Sequence, residues 1–394
     1  MCAPGDGRVM DVFTGRWVRG AGWSAALPGW DSARTLVLVF GPSALVDEPD
    51  HAGLADLRRT YPVASLAGCS TAGEVLGAEL SDDTLAVAVV RFATTRVVVE
   101  TTPVEGRGSD DVGRLLGKRL AESGADLALA LVLSDGLAVN GSALGRGVSE
   151  TVPAGALVAG GLAGDGPRFA RTWVLVDGVP RAGAVAAVGL FGADLEVGHA
   201  SRGGWSPLGP ERLVTRSAGT VLHELDGRPV LDLYREYLGD LADGLPATGL
   251  LFPLGVRLLD GSGREVVRTI LGVDHDTRSI TYAGEIPQGA TAQLMRSTTD
   301  RLVDGAEDAG QQVRRDADAG DSLALLVSCV GRRQYLGQRT EEELEVVVEA
   351  LGPRTPAVGF YSYGELTTLP SGACHLENQT MTVTVFGERP RSAA

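Results

Sequence analysis

One stretch of the chain recurs, with variations, in two other places. Residues 66–75 form an apolar segment that runs into Gly, Cys, Ser, Thr and Ala and closes on Gly-Glu. Residues 358–366 repeat this pattern and also close on Gly-Glu, while residues 158–165 repeat it more loosely and close on Gly-Asp. Each stretch reads as a strand that ends in a polar turn, which predicts a repeated structural unit. We expect the function of the protein to lie where the three turns meet.

The spacing of these stretches indicates the fold class. The distance from the first strand to the junction is similar in the three cycles: Leu36 to Gly68, Leu131 to Gly160 and Leu325 to Gly359. Continuous apolar runs such as residues 35–40 are typical of strands buried on both faces. We therefore predict an α/β fold of repeated strand-helix-strand units that form mixed sheets with helices packed outside. Three short strand patterns within residues 252–283 predict an inserted antiparallel meander.

The two ends of the chain show weaker patterns. Residues 1–34 are rich in Gly and Trp, and we interpret them as an N-terminal extension with one short strand through residues 12–18. Residues 387–394 are interpreted as a disordered tail. The first residues lack the basic start and apolar run of a secretion signal. No apolar stretch reaches the ~20 residues of a membrane-spanning helix. We predict a cytoplasmic protein without membrane insertion.

The charge balance excludes several classes of function. A net charge of −15 argues against nucleic-acid partners, because binding phosphate requires clustered cations. Lys118 is the single lysine, so a Schiff-base enzyme would have to use it. The sequence Gly117-Lys118-Arg119 also lacks the Ser or Thr that completes a P-loop.

The cysteines and histidines leave alternatives open. The four cysteines show no Cys-x-x-Cys pairing. Residues 68–73 miss the Gly-x-Ser-x-Gly spacing of a hydrolase nucleophile by one residue. We interpret Cys69 and Cys329 as small buried residues, since free cysteine is commonly buried; a thiolate enzyme, which would need a neighbouring histidine, is the alternative. The segments 274–276 and 375–377 hold the candidate metal ligands, and we predict no metal site. A haem would need only one histidine and stays an alternative cofactor.

The carboxylates of the three junctions, Glu74, Asp165 and Glu365, have two interpretations. Each is suited to capping the turn that follows it. Alternatively, they line a pocket with exposed backbone N–H groups, because open α/β sheets bind ligands beyond the carboxyl ends of their strands. An arginine and a glutamate on opposite rims would suit a zwitterion such as an amino acid. The predicted ligand-binding residues are Cys69, Ser70, Thr71, Glu74, Ser134, Asp135, Gly160, Gly161, Cys329, Arg332, Tyr361, Ser362, Glu365 and Asn378.

Several motifs resemble the two domains of the FIST family. Residues 68–74, 203–210 and 224–229 with 234–238 are similar to the FIST N-terminal domain, and residues 328–332, 359–365 and 377–380 resemble its C-terminal partner. On this resemblance we place the first domain at residues 35–228 and the second at residues 229–386.

The resemblance to FIST proteins implies an intracellular sensory module that binds a small ligand such as an amino acid. It also implies a haem-dependent nitric-oxide sensor as an alternative, because some relatives bind haem. We expect no catalysis by the chain itself. We expect its signal to pass to a separate output protein such as a kinase or a cyclase, since the chain leaves no room for an output domain.

Overall fold

The computed structural model describes residues 10–48, 50–259, 261, 263–316, 322–369 and 372–389. Its main body is built from three similar units in chain order, with an insertion inside the third. Unit 1 contains β1 (Met10–Val18), β2 (Gly22–Trp23), β3 (Thr35–Gly41), α1 (Ala52–Thr60), β4 (Ser65–Ser70), β5 (Glu74–Leu76), β6 (Glu79–Ser81) and β7 (Thr84–Phe92).

Unit 2 repeats this order with one additional helix, α2, after its first strand. It contains β8 (Arg96–Pro103), α2 (Ser109–Ser123), β9 (Leu127–Ser134), α3 (Gly141–Ser149), β10 (Leu157–Leu162), β11 (Val174–Val176), β12 (Val179–Arg181) and β13 (Ala184–Phe191).

The insertion follows the first strand of unit 3, β14 (Leu195–Arg202). It contains β15 (Ser206–Ala218), β16 (Val221–Leu225), β17 (Arg228–Pro229), α4 (Val230–Leu238), β18 (Leu254–Arg257), β19 (Glu265–Arg268), β20 (Ile270–Asp274), β21 (Ser279–Tyr282) and β22 (Thr291–Arg296). Unit 3 then continues with α5 (Thr299–Asp316), β23 (Ser322–Cys329), α6 (Val330–Leu336), α7 (Thr340–Leu351), β24 (Ala357–Ser362), β25 (Gly364–Thr368), β26 (Cys374–Glu377) and β27 (Met381–Glu388).

Every unit has the same central strand pairing. Two parallel strands are connected by a helical segment, because parallel strands need a crossover connection. An antiparallel strand pairs with the other edge of the first of these two strands. These three-stranded sets are β4-β3-β7, β10-β9-β13 and β24-β23-β27. The predicted α/β fold with repeated units and mixed sheets is therefore confirmed.

The units exchange hairpins in a closed cycle. The β5–β6 hairpin of unit 1 extends the sheet of unit 3 by pairing with β24. The β25–β26 hairpin of unit 3 pairs with β10 of unit 2, and the β11–β12 hairpin of unit 2 pairs with β4 of unit 1. The hairpin of unit 1 therefore completes the sheet of unit 3 and the hairpin of unit 3 completes the sheet of unit 2, whereas the strands of the unit 1 sheet all lie between Met10 and Arg181.

Apolar side chains fill both faces of these sheets. One face of each sheet contributes to a shared central core, where Phe40 and Phe360 stack with ring centroids 4.8 Å apart. The opposite faces of the sheets in units 2 and 3 lie under helices, with Val132 and Leu326 in the core beneath them. The near-continuous apolar strands of the sequence follow from this burial on both faces.

The insertion is an antiparallel sheet with its own core, which includes Tyr234 and Ile280. The three strand patterns that predicted a meander are present, but the pattern at residues 265–271 is divided between β19 and β20. The long strand β15 was missed because much of it is exposed to solvent and it lacks an apolar run.

Strands are present near both ends of the described chain. The N-terminal extension contributes β1, which pairs with β7 along its whole length from Met10 to Val18. The predicted disordered tail begins too early, because Gly387 and Glu388 belong to β27. Glu388 is buried and accepts hydrogen bonds from the backbone N–H groups of Ala93, Thr94 and Thr95. Residues 390–394 lie outside the described residues.

Candidate functional site

The three recurring stretches meet at the centre of the main body. We call residues 70–74 junction 1, residues 162–165 junction 2 and residues 361–365 junction 3. A closed ring of backbone hydrogen bonds joins them: Ala72 N to Tyr361 O (2.7 Å), Tyr363 N to Leu162 O (3.0 Å) and Gly164 N to Ser70 O (3.0 Å). The predicted convergence of the junctions is therefore confirmed, and at its centre the junctions bind one another.

A glycine precedes each junction at an equivalent position, where the neighbouring strand approaches closely. Gly68, Gly160 and Gly359 lie in register opposite Val39, Val132 and Leu326. A Cβ atom on these glycines would come within 2.0, 2.0 and 1.9 Å of the opposite carbonyl oxygen. The glycines therefore permit close strand packing, and the predicted binding residues Gly160 and Gly161 are buried rather than exposed to a ligand.

Glu74 of junction 1 is a buried carboxyl group with three protein donors. Its Oε1 accepts a hydrogen bond from Thr71 Oγ1 at 2.5 Å, and its Oε2 accepts from the backbone N and Oγ1 of Thr84 at 3.1 and 3.2 Å. Burial raises the pKa of Glu74 to about 7, against the opposing effect of these hydrogen bonds. The group therefore changes its charge near neutral pH.

Glu365 of junction 3 has the same arrangement. It accepts from Ser362 Oγ at 2.5 Å and from the backbone N and Oγ1 of Thr380 at 3.3 and 3.0 Å. Burial raises its pKa to about 8. The shared pattern shows that the Gly-Glu ending of both stretches encodes one local structure.

Asp165 of junction 2 is bonded differently. Its carboxylate accepts the backbone N–H groups of Phe169, Ala170 and Arg171 and the hydroxyl of Tyr363. Burial acts to raise the pKa of Asp165, but these hydrogen bonds outweigh it and hold the pKa below its usual value. Asp165 thus caps the loop that follows it, as the first interpretation of the junction carboxylates proposed.

A cleft of about 540 Å³ opens beside junction 1, and we call it the Glu74 cleft. Thr71 and Glu74 line one side of it, and α6 contributes Arg333. The loop after β10 contributes Arg168, whose side chain is 60% exposed. The cleft therefore brings together a protonatable carboxyl group and two guanidinium groups from three different units.

Arg333 is held in a fixed position at the cleft. Its Nη1 donates to Ala72 O at 2.5 Å, and both of its Nη atoms donate to the carboxylate of Asp82 at 2.9 and 2.6 Å. Asp82 and Asp83 also line the cleft, so acidic and basic groups face the same space. Neither Arg333 nor Arg168 was among the predicted ligand-binding residues.

The predicted binding role of Arg332 is corrected by its surroundings. Arg332 is fully buried and forms an ion pair with Glu343 at 2.7 Å. It also donates to the carbonyl oxygens of Leu302 and Gly203. Tyr361, another predicted ligand residue, donates its hydroxyl to the same Glu343 at 2.5 Å. These residues form an internal polar network, so neither side chain points into the Glu74 cleft.

The remaining predicted polar residues near strand ends also have internal partners. Ser70 Oγ accepts the backbone N–H of Trp173, and Ser134 Oγ donates to the carbonyl oxygen of Asp135. The Asp135 carboxylate accepts from the backbone N–H groups of Leu137, Ala138 and Gly183. Of the fourteen predicted residues named above, only Thr71 and Glu74 line the Glu74 cleft.

The side chain of Asn378 differs from these hydrogen-bonded residues. It is fully buried, and within the described part of the chain neither its Oδ1 nor its Nδ2 has a hydrogen-bond partner. It lies between Glu377 and Gln379, close in sequence to Thr380, which bonds Glu365.

The cysteines and histidines are placed as follows. Cys69 and Cys329 are free and buried, and burial raises the pKa of both thiols. His199 is held between Thr384 Oγ1 at 2.9 Å and Thr367 Oγ1 at 2.6 Å, so both of its ring nitrogens have protein partners. No group of three or more potential metal ligands occurs among the described residues.

Comparison with protein families identifies both halves of the chain. The FIST N domain matches residues 35–228, and the FIST C domain matches residues 231–368. The chain belongs to the FIST family. FIST domains are associated with sensory and signal-transduction roles. In this FIST protein the two matched domains share sheets through the exchanged hairpins β5–β6 and β25–β26.

Similar proteins occur in mycobacteria. An uncharacterized protein of Mycobacterium bovis is 27% identical over 367 residues, covering 90% of this chain and 91% of the relative. An uncharacterized protein of Mycobacterium tuberculosis is 26% identical over 319 residues, covering 79% of this chain and 81% of the relative. A chorismatase crystal structure aligns with 96% of this chain and 98% of its own at 12% identity and a TM-score of 0.34.

None of the helices in the described ranges has the length and apolar character needed to cross a bilayer.

Proposed function

We propose that this FIST protein is a sensory protein that binds a small zwitterion, such as an amino acid, in the Glu74 cleft. One observation carries the proposal: Glu74, Arg168 and Arg333 line the same cleft from three units of the fold. A guanidinium group binds a carboxylate with good geometry, and an ionised glutamate binds an ammonium group. The volume of about 540 Å³ falls within the usual range of small-molecule sites.

Each side chain has a distinct role in this proposal. Arg333 is fixed by Asp82 and supplies a preorganised positive charge, while the more exposed Arg168 turns inward to hold the ligand carboxylate. Glu74 faces the ligand ammonium group. Because the pKa of Glu74 is about 7, binding a cation beside it favours the ionised form and releases a proton near neutral pH.

Ligand binding would change how the three units are arranged relative to one another. The cleft walls come from junction 1, the loop after junction 2 and helix α6, so a bound ligand bridges three parts of the chain. A ligand that binds one arrangement of these parts more tightly shifts the population toward it. A separate output protein, such as a kinase or a cyclase, would then read this arrangement.

Isothermal titration calorimetry with the twenty amino acids, at pH 8, tests this function. We expect at least one of them to bind wild-type protein and to bind Glu74→Gln and Arg168→Ala much more weakly. Glu365→Gln is the matched control, because Glu365 has the same hydrogen-bond pattern but does not line the Glu74 cleft. Binding that is equal in all variants, or an absence of binding throughout the panel, would refute the proposal.

The absence of catalysis is part of the proposal. It is supported by Cys69 and Cys329, because a buried thiol with a raised pKa carries little of the thiolate that a nucleophile needs. The haem alternative stays a prediction, and an absorbance scan for a Soret band after reconstitution with haemin tests it.

A further inference from the structure

A second cavity, of about 670 Å³, lies between helix α3, the insertion and the β25–β26 hairpin. We call it the Arg268 cavity. It shares no lining residue with the Glu74 cleft. None of the residues singled out by the sequence analysis as ligand-binding lines it. It is therefore a separate space, with walls contributed by three elements of different sequence regions.

Arg268 places a buried positive charge in the wall of this cavity. The residue is 3% exposed, and within the described residues its guanidinium donates only to backbone carbonyl oxygens. Nε donates to Glu285 O at 3.1 Å, and Nη1 donates to Val267 O at 3.2 Å and to Leu376 O at 2.9 Å. Burial lowers the pKa of Arg268 to about 10, against the opposing effect of the Glu377 and Glu285 charges.

The acidic groups of the cavity are already paired with other arginines. Glu150 bonds Arg114 at 2.9 Å, and Glu285 bonds Arg146 at 3.2 Å. Within the described ranges Arg268 itself takes part in no ion pair. A buried charge without a counter-ion is costly, so an anion entering the cavity would find a favourable partner there.

The rest of the wall is largely apolar. Val152, Pro153, Ala156, Leu258 and Pro287 line the cavity together with Leu259, which is 60% exposed. An apolar wall with one or two convergent polar groups is the usual composition of a small-molecule site. The combination favours a ligand with an apolar body and a single negative end.

We propose that the Arg268 cavity is a binding site for a small organic carboxylate with an apolar body. The carboxylate would lie against the Arg268 guanidinium, and the body would cover Leu258 and Leu259. Arg146 lines the same cavity, where its charge is paired with Glu285, so Arg268 is the cation that would hold the carboxylate. This site is distinct from the Glu74 cleft, so the protein would respond to two chemically different ligands.

Calorimetry on the full chain with phenylacetate and its neutral analogue phenylacetamide tests the site. We expect phenylacetate to bind at least about tenfold more tightly, because only the acid can form the charge-assisted pair with Arg268. Arg268→Met should remove this preference. Leu259→Asp changes an exposed residue, so the fold is kept, and its negative charge should weaken phenylacetate binding by about fivefold or more.

Three outcomes would overturn the proposal: equal affinity for the acid and the amide, unchanged phenylacetate binding in Leu259→Asp, or no binding of either up to about 10 mM. Glu74→Gln separates the two proposed sites. Phenylacetate binding that survives in Glu74→Gln lies outside the Glu74 cleft and supports the Arg268 cavity. Binding that is lost in Glu74→Gln would place phenylacetate in the Glu74 cleft and contradict the inference.

Discussion

Replacing Glu365 by glutamine should change how stability depends on pH. The pKa of Glu365 is raised from 4.5 to about 8 by burial. The folded protein therefore keeps a proton that the unfolded chain loses, so the stabilising contribution of Glu365 is full below pH 4.5 and is lost as the pH rises toward 8. Each pKa unit corresponds to about 1.4 kcal/mol, so between pH 5 and 8 the loss is about 4 kcal/mol.

Glutamine imitates the protonated carboxyl group at every pH. Its Oε1 can accept from the backbone N and Oγ1 of Thr380. Its Nε2 can donate to Ser362 Oγ once that hydroxyl, which donates to Glu365 in the wild type, turns to accept. We therefore expect Glu365→Gln and wild-type protein to have similar free energies of unfolding at pH 5. At pH 8 the variant should be the more stable by about 4 kcal/mol.

Urea denaturation at pH 5, 6.5 and 8, followed by tryptophan fluorescence, measures this difference. Comparing the variant with wild type at each pH cancels the contribution of other groups, such as His199, whose pKa is lowered to about 4 by burial. Glu349→Gln, an exposed change on α7, is the matched control. A difference between Glu365→Gln and wild type that stays constant with pH would refute the assignment of a neutral, buried carboxyl group.

Three further predictions concern the internal network, the thiols and the strand glycines. Glu343→Gln leaves Arg332 buried without its counter-ion, and we expect thermal or urea denaturation to show a loss of about 3–5 kcal/mol; a loss below about 1 kcal/mol would contradict it. Cys69, Cys329 and Cys374 should resist labelling by iodoacetamide at pH 7.5 in the native protein and react in urea, since all three thiols are buried and have raised pKa values. Mass spectrometry measures the labelling, and rapid labelling of the native protein would favour the alternative of a thiolate enzyme. Gly68→Ala should destabilise the protein by more than about 2 kcal/mol because its Cβ would lie 2.0 Å from Val39 O, whereas Gly29→Ala, which meets no atom within 4 Å, should change stability little.

The repeated units were predictable because their signals are local. A continuous apolar run such as residues 35–40 indicates a buried strand. A Gly-Glu ending marks junctions 1 and 3, where each glutamate accepts a hydrogen bond from a hydroxyl three residues earlier and from a later threonine. These features depend on residues at most 15 positions apart. The α/β class and the convergence of the junctions followed from them.

The exchange of hairpins was not predictable from such signals. Strand β5 is three residues long, and its partner β24 lies more than 280 positions later in the chain. Short strands carry little pattern of their own, and nothing in their residues specifies which of three similar sheets they join. The Glu74 cleft could not be predicted for the same reason, because Arg168 and Arg333 approach Glu74 only after the units assemble.

The choice between Arg332 and Arg333 shows a second reason for error. The two residues are adjacent, but on a helix neighbouring side chains point about 100° apart, so one enters the interior when the other faces outward. The start of α6 at Val330 sets this phase. Arg332 consequently pairs with buried Glu343, and Arg333 reaches the cleft.

The central claim is that an ionised Glu74 in the cleft binds the ammonium group of a zwitterionic ligand. Titrating the best amino acid of the panel into wild-type protein at pH 6 and pH 8 tests it most directly. With a pKa of about 7 for Glu74, the affinity should rise about tenfold from pH 6 to pH 8, and Glu74→Gln should bind weakly at both values. An affinity that is unaffected by pH, or equal in wild type and Glu74→Gln, would contradict the account.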